Sequence, residues 1–298
     1  MAKVGLTVRF KQSGGALVSV LLISVALASI AGLLLVNSKV HTKRVQIAKD
    51  YLAAERLLIS DLNSYIYDVQ TSPYIIMGDS ALAPPYDSNL PKGNNLYGKS
   101  FLYENSVLTI QDMGGLVYLV PFNRNRIKTY LENKGWPKQE ISVFLDVLAD
   151  WKDGDSFEHI NGAESNDYRV EGYPINKELQ TKEDLALLAN IDPKLLEELA
   201  SDNKVLLYNS GRDTHDYAPE ELLTTFLPHY DAERFILERN KFVHGEKVTA
   251  IDDYSSSNWV IKVSTSYGEA KSSRMLHVLR RFGDERPFVI SQWHERAK

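Results

Sequence analysis

The sequence predicts an α+β protein: a long N-terminal helix packed on an antiparallel sheet, with a large all-α domain inserted into that sheet. Three observations predict it. First, no proline occurs between Ala16 and Tyr67 and no glycine between Asn37 and Tyr67, so nothing breaks a helix there. Second, apolar and polar residues alternate on both sides of a central block, over 107–120 and again over 259–293, which is the period of a half-buried strand. Third, from Arg124 to about Phe242 the apolar spacing lengthens to three or four, the period of amphipathic helices. Strands on both sides of a helical block imply one sheet whose chain is interrupted by an insertion.

The first element begins in lipid. Lys3, Arg9 and Lys11 come first, then Gln12-Ser13-Gly14-Gly15, and then an uncharged stretch from Ala16 to Val36. A helix needs roughly 20 such residues, at about 1.5 Å each, to cross the apolar core of a bilayer. A secretory signal places its small-residue exit after the apolar part. Here the following residues are Asn37-Ser38-Lys39-Val40-His41-Thr42-Lys43-Arg44, and the glycine pair precedes the apolar part. That order suggests a leader removed on the cytoplasmic side, with the apolar segment kept. A plain signal anchor fits the hydropathy as well. Basic residues favour the cytoplasm, and Lys39, Lys43 and Arg44 on the far flank weaken that argument. Beyond them Val45, Ala48, Leu52, Leu57, Leu58, Ile59, Leu62 and Ile66 continue a helical period, so one helix is expected over 15–67. Its second half is expected to pack on a globular head.

The first part of that head spans 68–122. Residues 71–99 are rich in Pro and Gly and read as loop. Val107–Gln111 and Leu116–Val120 flank Asp112-Met113-Gly114-Gly115, a hairpin signal. The insert is expected over 123–245. Its helices are marked by Ile127, Tyr130 and Leu131, by Ile141 to Trp151, by Leu185 to Leu188, by Leu195 to Leu199 after Asp192-Pro193, by Leu222 to Phe226 and by Ala232 to Ile236. Residues 152–180 have no period. The head closes over 246–298 with a meander: Trp259, Ile261 and Val263; a turn at Tyr267-Gly268-Glu269; Met275, His277 and Leu279; a turn at Gly283-Asp284; and Phe288, Ile290 and Gln292.

Composition narrows the function. Without Lys3, Arg9 and Lys11 the balance is 31 basic to 39 acidic residues, near −8. Phosphate contact needs clustered Lys and Arg, so a nucleic-acid partner is not expected. Asn190-Ile191-Asp192-Pro193-Lys194 resembles a helix-hairpin-helix but lacks its glycines. There is no cysteine, which excludes disulfides, thiolate metal sites and a cysteine nucleophile. No nucleophile elbow or phosphate-binding glycine loop is present. No two histidines stand four apart, so a zinc helix is not expected. These absences argue against an enzyme.

One segment is dense in oxygen ligands: Asp150, Asp153, Asp155, Glu158, Asn161, Glu164, Asn166, Asp167 and Glu171. Hard cations such as Ca²⁺ take six to eight oxygens. A long loop with few apolar side chains needs either solvent or a staple to settle it. The spacing is not that of an EF-hand, and a solvated acidic loop is the plain alternative. His159 reads as a solvated loop residue, and Trp151 and Trp259 as core anchors.

The chain resembles protein K of type II secretion systems, the large minor pseudopilin. The resemblance rests on Gln12-Ser13-Gly14-Gly15-Ala16-Leu17, similar to a prepilin leader; on Leu145 to Asp155 around Trp151, followed by Gly162-Ala163-Glu164, Tyr168 and Tyr173-Pro174; on the helical block; and on the closing meander. It implies a pseudopilin fold, with a prepilin peptidase cutting after Gly14 in a leader of residues 1–14 and methylating the new N-terminus at Gly15. Most pilin-like proteins carry Phe at the first mature position and Glu at the fifth. Gly15 and Ser19 stand there, and a lost glutamate is what the resemblance implies for a subunit at the fibre tip. It further implies structural calcium in the acidic loop, with Asp150, Asp153, Asp155, Glu164 and Asp167 as ligands and Glu158, Asn161 and Asn166 behind them.

The implied setting is the bacterial inner membrane, crossed once, with the C-terminal head in the periplasm. The implied partners are other minor pseudopilins, the major pseudopilin, the prepilin peptidase and the inner-membrane secretion platform, with cargo proteins and the outer-membrane secretin beyond. The implied work is capping and priming the pseudopilus for protein export, without catalysis. A minor pilin of a type IV pilus, serving adhesion or DNA uptake, and a signal-anchored periplasmic calcium-binding enzyme remain as alternatives.

Overall fold

The computed structural model of the protein describes residues 15–79, 90–91, 93–209, 214–243, 255–280 and 288–293. The leader with Gly14, the expected turn at Gly283-Asp284 and the expected boundary at 245–246 lie outside these. The chain divides into two compact units. One holds the N-terminal helix through Ala53 together with Tyr267–Ala270, and the other holds the rest.

Helix α1 runs without a break from Gly15 to Thr71, 57 residues. In the first unit its apolar side chains from Leu17 to Val36 are all exposed. It is the one helix among the described residues long and apolar enough to cross a membrane. The hydroxyls of Ser19, Ser24 and Ser29 donate to the carbonyls of Gly15, Val20 and Val25 at 2.8–2.9 Å. That satisfies each hydroxyl within the helix, as an apolar solvent requires. Higher up, Asp50 is buried and accepts from Gln46 Nε2 at 2.8 Å. The turn at Gly268 lies against it. Gly268 has a φ of +56°, and a side chain there would overlap the Asp50 carboxylate. Lys43 pairs with Glu269 at 3.4 Å.

In the second unit the buried stripe of α1 is Ala54, Leu58, Leu62, Tyr65 and Val69, at helical spacing. Val45, Leu52 and Ile59, expected to share the packing face, are exposed. The true stripe replaces them with Ala54 and Tyr65, whose apolar weight a simple count of large aliphatics misses. This stripe covers a five-stranded sheet of order β1-β2-β5-β6-β7, made by Tyr97–Tyr103, Ser106–Asp112, Asn258–Tyr267, Ala270–Arg280 and Phe288–Trp293. In the central pair Leu108 lies opposite Val263, Ile110 opposite Ile261 and Asp112 opposite Trp259. The apolar members of these pairs, with Leu276 and Val278, form one buried core with Leu58, Leu62 and Tyr65.

Two readings of these strands need correction. In β6 the inward residues are Leu276 and Val278, while Met275, His277 and Leu279 are only half-buried. Both parities of that strand are apolar, so the register set by the preceding turn decides the face. Arg274 shares the inner parity and pairs with Glu55 of α1. The second correction concerns the expected hairpin at Asp112-Met113-Gly114-Gly115. The true hairpin lies earlier, where β1, in a stretch read as loop, pairs with β2. Its turn has Glu104 at a φ of +50°. Asp61 of α1 fastens that turn, accepting from Asn105 N at 3.1 Å and Ser106 Oγ at 2.7 Å.

The Met113–Gly115 segment is a 3-10 turn, capped by Asp112 Oδ1 accepting from Gly114 N at 2.8 Å. The chain then leaves the sheet. Strand β3 (Val117–Val120) pairs in parallel with β4 (Val205–Tyr208), a strand inside a block read as purely helical. Neither Gly114 nor Gly115 has a positive φ. Gly115 is needed because the backbone of Tyr217 and Ala218 presses where its Cβ would stand.

The inserted part has its own core. It is built from β3, β4, α3 (Arg124–Asn133), α4 (Lys138–Lys152), a 3-10 turn (Lys182–Leu187), α5 (Pro193–Ser201), α6 (Glu220–Phe226) and α7 (His229–Val243). Leu116, Val117, Leu119 and Val120 belong to this core. Asp192 caps α5, accepting from Lys194 N at 2.8 Å with Pro193 in the first turn, as its sequence signals. The neck between the parts is closed by Asp112. Its Oδ2 accepts from Ser255 Oγ and Ser256 N, each at 2.8 Å. Helix α7 reaches back to the sheet through Arg239, which is buried. Its guanidinium lies 3.8 Å from the Tyr97 ring centre, and Nη1 donates to Ala218 O at 2.6 Å.

Gly115→Ala is expected to destabilise the protein by ~1–3 kcal/mol, the usual cost of forcing atoms into a packed site, measured by denaturant unfolding in detergent. A second expectation concerns Asp79, fully buried and bonded by Tyr74 OH at 2.8 Å. Burial pushes its carboxyl up to about 7, against the pull of Tyr74 and Arg239. The folded state keeps this proton where the unfolded chain has lost it. Stability therefore falls as pH rises from about 4 to about 7, by at most roughly 4 kcal/mol. Asp79→Asn should flatten that slope in melting temperature against pH; an unchanged slope refutes the assignment.

Candidate cation site

Helix α4 ends at Lys152 and delivers Asp146, Asp150 and Trp151 to one edge of the insert. From Asp153 the chain runs without helix or strand to Thr181, as its lack of period predicts. Trp151 anchors the inner side of this loop. It is buried, with Tyr168 and Tyr173 at ring-centre distances of 6.0 and 5.7 Å. The outer side is fastened by carboxylates of α4. Asp146 Oδ2 accepts from Asn161 N at 3.2 Å and Nδ2 at 2.9 Å, and its Oδ1 meets Arg124 Nη2 at 2.5 Å. Burial works to raise the Asp146 carboxyl, but the bonds from Arg124 and Asn161 outweigh it and hold the group below its ordinary value.

Asp150 is fully buried. Its Oδ2 accepts from Ala163 N at 2.9 Å and His159 N at 3.2 Å, and its Oδ1 meets His159 Nδ1. That bond raises the His159 pKa, so the imidazole tends to its charged form. Gly162 is required here, because a side chain would overlap the Asp150 carboxylate. The Gly162-Ala163-Glu164 stretch thus turns tightly around Asp150 and delivers Glu164 to the loop's interior.

Two groups of ligand atoms form, each with its members within 4.8 Å of one another: Asp150, Asp153 and His159, and Asp153, Asp155 and Glu164. Asp153 belongs to both. Asp153 Oδ1 and Glu164 Oε1 are buried and have no hydrogen-bond partner. Such acceptor-only atoms are costly to bury without a donor or a cation. Burial first, then Asp155 and Asp150, raise the Asp153 carboxyl; burial first, then Asp150 and Asp153, raise that of Glu164. This donor set, oxygen-rich and short of protein donors, fits a hard divalent cation.

Of the five expected ligands, Asp153, Asp155 and Glu164 converge. Asp150 adjoins them but spends its oxygens on the loop backbone and His159. Asp167 is exposed, and its Oδ2 accepts from Glu164 N at 3.1 Å. Asn161 serves Asp146 instead. His159 is an exposed loop residue, as read, and its Nδ1 also meets Asp150 at the edge of the cluster. Asp146 carried a signal that was missed: it stands one helical turn before Asp150, on the same face.

Gly15 begins α1, and Gly14 lies outside the described residues. Residues 118–201 match the family model of the type II secretion system protein K, a span that takes in most of β3, α3, α4, the whole acidic loop and α5. Among solved structures the chain is similar to one in the GspK-GspI-GspJ complex from the type 2 secretion system of enterotoxigenic Escherichia coli. The identity is 12%, covering 87% of this chain and 100% of that one, with a TM-score of 0.39. A score that low carries no argument. No curated protein matches the sequence.

Neutralising one member of an uncompensated cluster should relieve repulsion. With a chelator present, Glu164→Gln is expected to melt higher than the unaltered chain at neutral pH. The raised carboxyls also imply that the cation-free protein gains stability as pH falls towards the ordinary carboxylate range. Scanning fluorimetry checks both, and a lower melting temperature for the variant would show that the carboxylate is not under strain.

Proposed function

We propose that this chain, which belongs to the protein K family of type II secretion systems and is a minor pseudopilin, caps the pseudopilus and primes its assembly for protein export across the outer membrane. The match over residues 118–201 carries this reading, because it falls on the insert and its acidic loop rather than on the helix that all pilin-like proteins share. No catalytic role is proposed. The chain is anchored by Gly15–Val36 in the inner membrane, with its head in the periplasm. The exposed apolar residues Leu17 to Val36, with Val45 and Leu52, suit bundling with the helices of other subunits once the chain leaves the bilayer.

The match to protein K makes other minor pseudopilins the proposed partners, with the major pseudopilin below them. The prepilin peptidase would cut between Gly14 and Gly15 and methylate Gly15, and the secretion platform would extract the subunit. Cargo and the outer-membrane secretin would meet the head. Ser19 in place of the usual glutamate supports a tip position. Its hydroxyl is satisfied by the carbonyl of Gly15, and the apolar part of the helix, 15–36, carries no carboxylate that needs a neighbour's ammonium.

Calcium is the cation proposed for the acidic loop, held by Asp153, Asp155 and Glu164 with Asp150 beside them. It would order a loop that buries little apolar surface of its own, and it would supply the partner that Asp153 Oδ1 and Glu164 Oε1 lack.

Mass determination of the mature N-terminus tests the pseudopilin reading: a chain beginning at methylated Gly15 is expected, and one beginning at Met1 or beyond Asn37 overturns it. The calcium assignment is tested separately by melting with and without the ion. At 100-fold excess over the dissociation constant a stabilisation of about 2.7 kcal/mol is expected, abolished in Asp153→Asn. No shift with Ca²⁺ refutes it.

A further inference from the structure

Lys39, Lys43 and Arg44 stand on the side of the membrane that the positive-inside rule leaves poor in basic residues. Two of them line a groove of about 590 Å³ between α1 and the turn at Gly268-Glu269. Lys39 and Lys43 are one helical turn apart on one face. Opposite them stands Glu269, paired with Lys43 at 3.4 Å, with both side chains two-thirds exposed. Asp50 closes the groove but is spent: it is buried, bonded by Gln46 and covered by Gly268. The groove thus offers two cations and one exposed carboxylate, paired with Lys43 and held on a turn fixed by Asp50.

Its depth is set by the helix. Gly15 to Val36 spans about 33 Å at the helical rise, close to the thickness of the apolar core. Lys39 then lies about 4.5 Å and Lys43 about 10 Å beyond Val36. The headgroup layer is roughly 5–8 Å deep on each side. Lys39 therefore sits within it and Lys43 at its outer margin, within reach of a long side chain.

We propose that this groove binds the headgroup of a zwitterionic phospholipid bearing a phosphate and a primary ammonium, the chemistry of phosphatidylethanolamine. The phosphate bridges Lys39 and Lys43, and the ammonium donates to Glu269, which Lys43 releases. A purely anionic headgroup would leave Glu269 facing like charge. A trimethylated headgroup would bring a cation without a hydrogen-bond donor. Bound this way, the lipid would hold the chain at fixed depth before it is extracted. The inference rests on the reading of Gly15–Val36 as the membrane anchor.

The test uses the full chain reconstituted in nanodiscs with equal parts of phosphatidylethanolamine, phosphatidylcholine and phosphatidylglycerol, and native mass spectrometry to count the lipids retained. Phosphatidylethanolamine should be retained at least threefold over each of the others. Lys39→Ala with Lys43→Ala should lose lipid retention altogether. Glu269→Ala, which removes the acceptor, should retain phosphatidylethanolamine and phosphatidylcholine equally, and it guards against a loss caused by the double variant alone. Equal retention of all three by the unaltered chain, or preference for phosphatidylglycerol, overturns the site while leaving the anchor intact. A chain that fails to enter the bilayer overturns the anchor and the site together.

Discussion

A buried carboxylate, Asp112, holds the architecture together. It stands where the chain leaves the sheet, and it is bonded to Ser255 and Ser256, where the chain returns. Its other oxygen caps the turn that carries the backbone into the insert. Inserting a whole domain between neighbouring strands threatens their pairing, because the two strands no longer meet through a short turn. Asp112 closes that long loop at its base, so that β2 and β5 keep a continuous register from Ser106 opposite Thr265 to Asp112 opposite Trp259. Burial raises this carboxyl, and the bonds from Ser256, Ser255 and Gly114 work against that rise. The insert is therefore fastened at its neck, and Arg239 of α7 fastens it a second time against Tyr97 of β1.

The acidic loop obeys the opposite logic. The carboxylate at the neck is rich in donors, whereas Asp153 and Glu164 are short of them. Helix α4 supplies the fixed side of the site, since Asp146 and Asp150 take the loop's backbone amides and so determine where Glu164 arrives. The free oxygens are what remains after that fastening. This division of labour explains why neighbouring acidic residues in one short sequence do different work. A family match that spans this whole stretch agrees with a loop that serves the insert.

Helix α1 joins two solvents in one element. Its first part, from Leu17 to Val36, exposes every large apolar side chain among the described residues. Its later part buries one stripe against the sheet and uses its polar residues as fasteners: Asp61 for the β1–β2 turn and Glu55 for Arg274. The proposed role needs both properties, since the same helix would lie in lipid and carry a folded head.

The sequence by itself determined whatever depends on local pattern. The uninterrupted helix from Gly15, the helices after Arg124, the cap at Asp192, the aperiodic loop after Trp151 and the closing strands all follow from spacing and capping chemistry between near neighbours. Tertiary structure decided what depends on partners distant in the chain. Strand β4 exists because β3 offers it an edge, and Gly115 is required by the backbone of Tyr217, not by a turn of its own. The inward parity of β6 was set by register, because both of its faces are apolar. In the acidic loop the ligand types were legible, but their allotment was not. A carboxylate presents the same letter whether a distant amide has already taken its oxygens, as at Asp150, or has left them bare, as at Glu164.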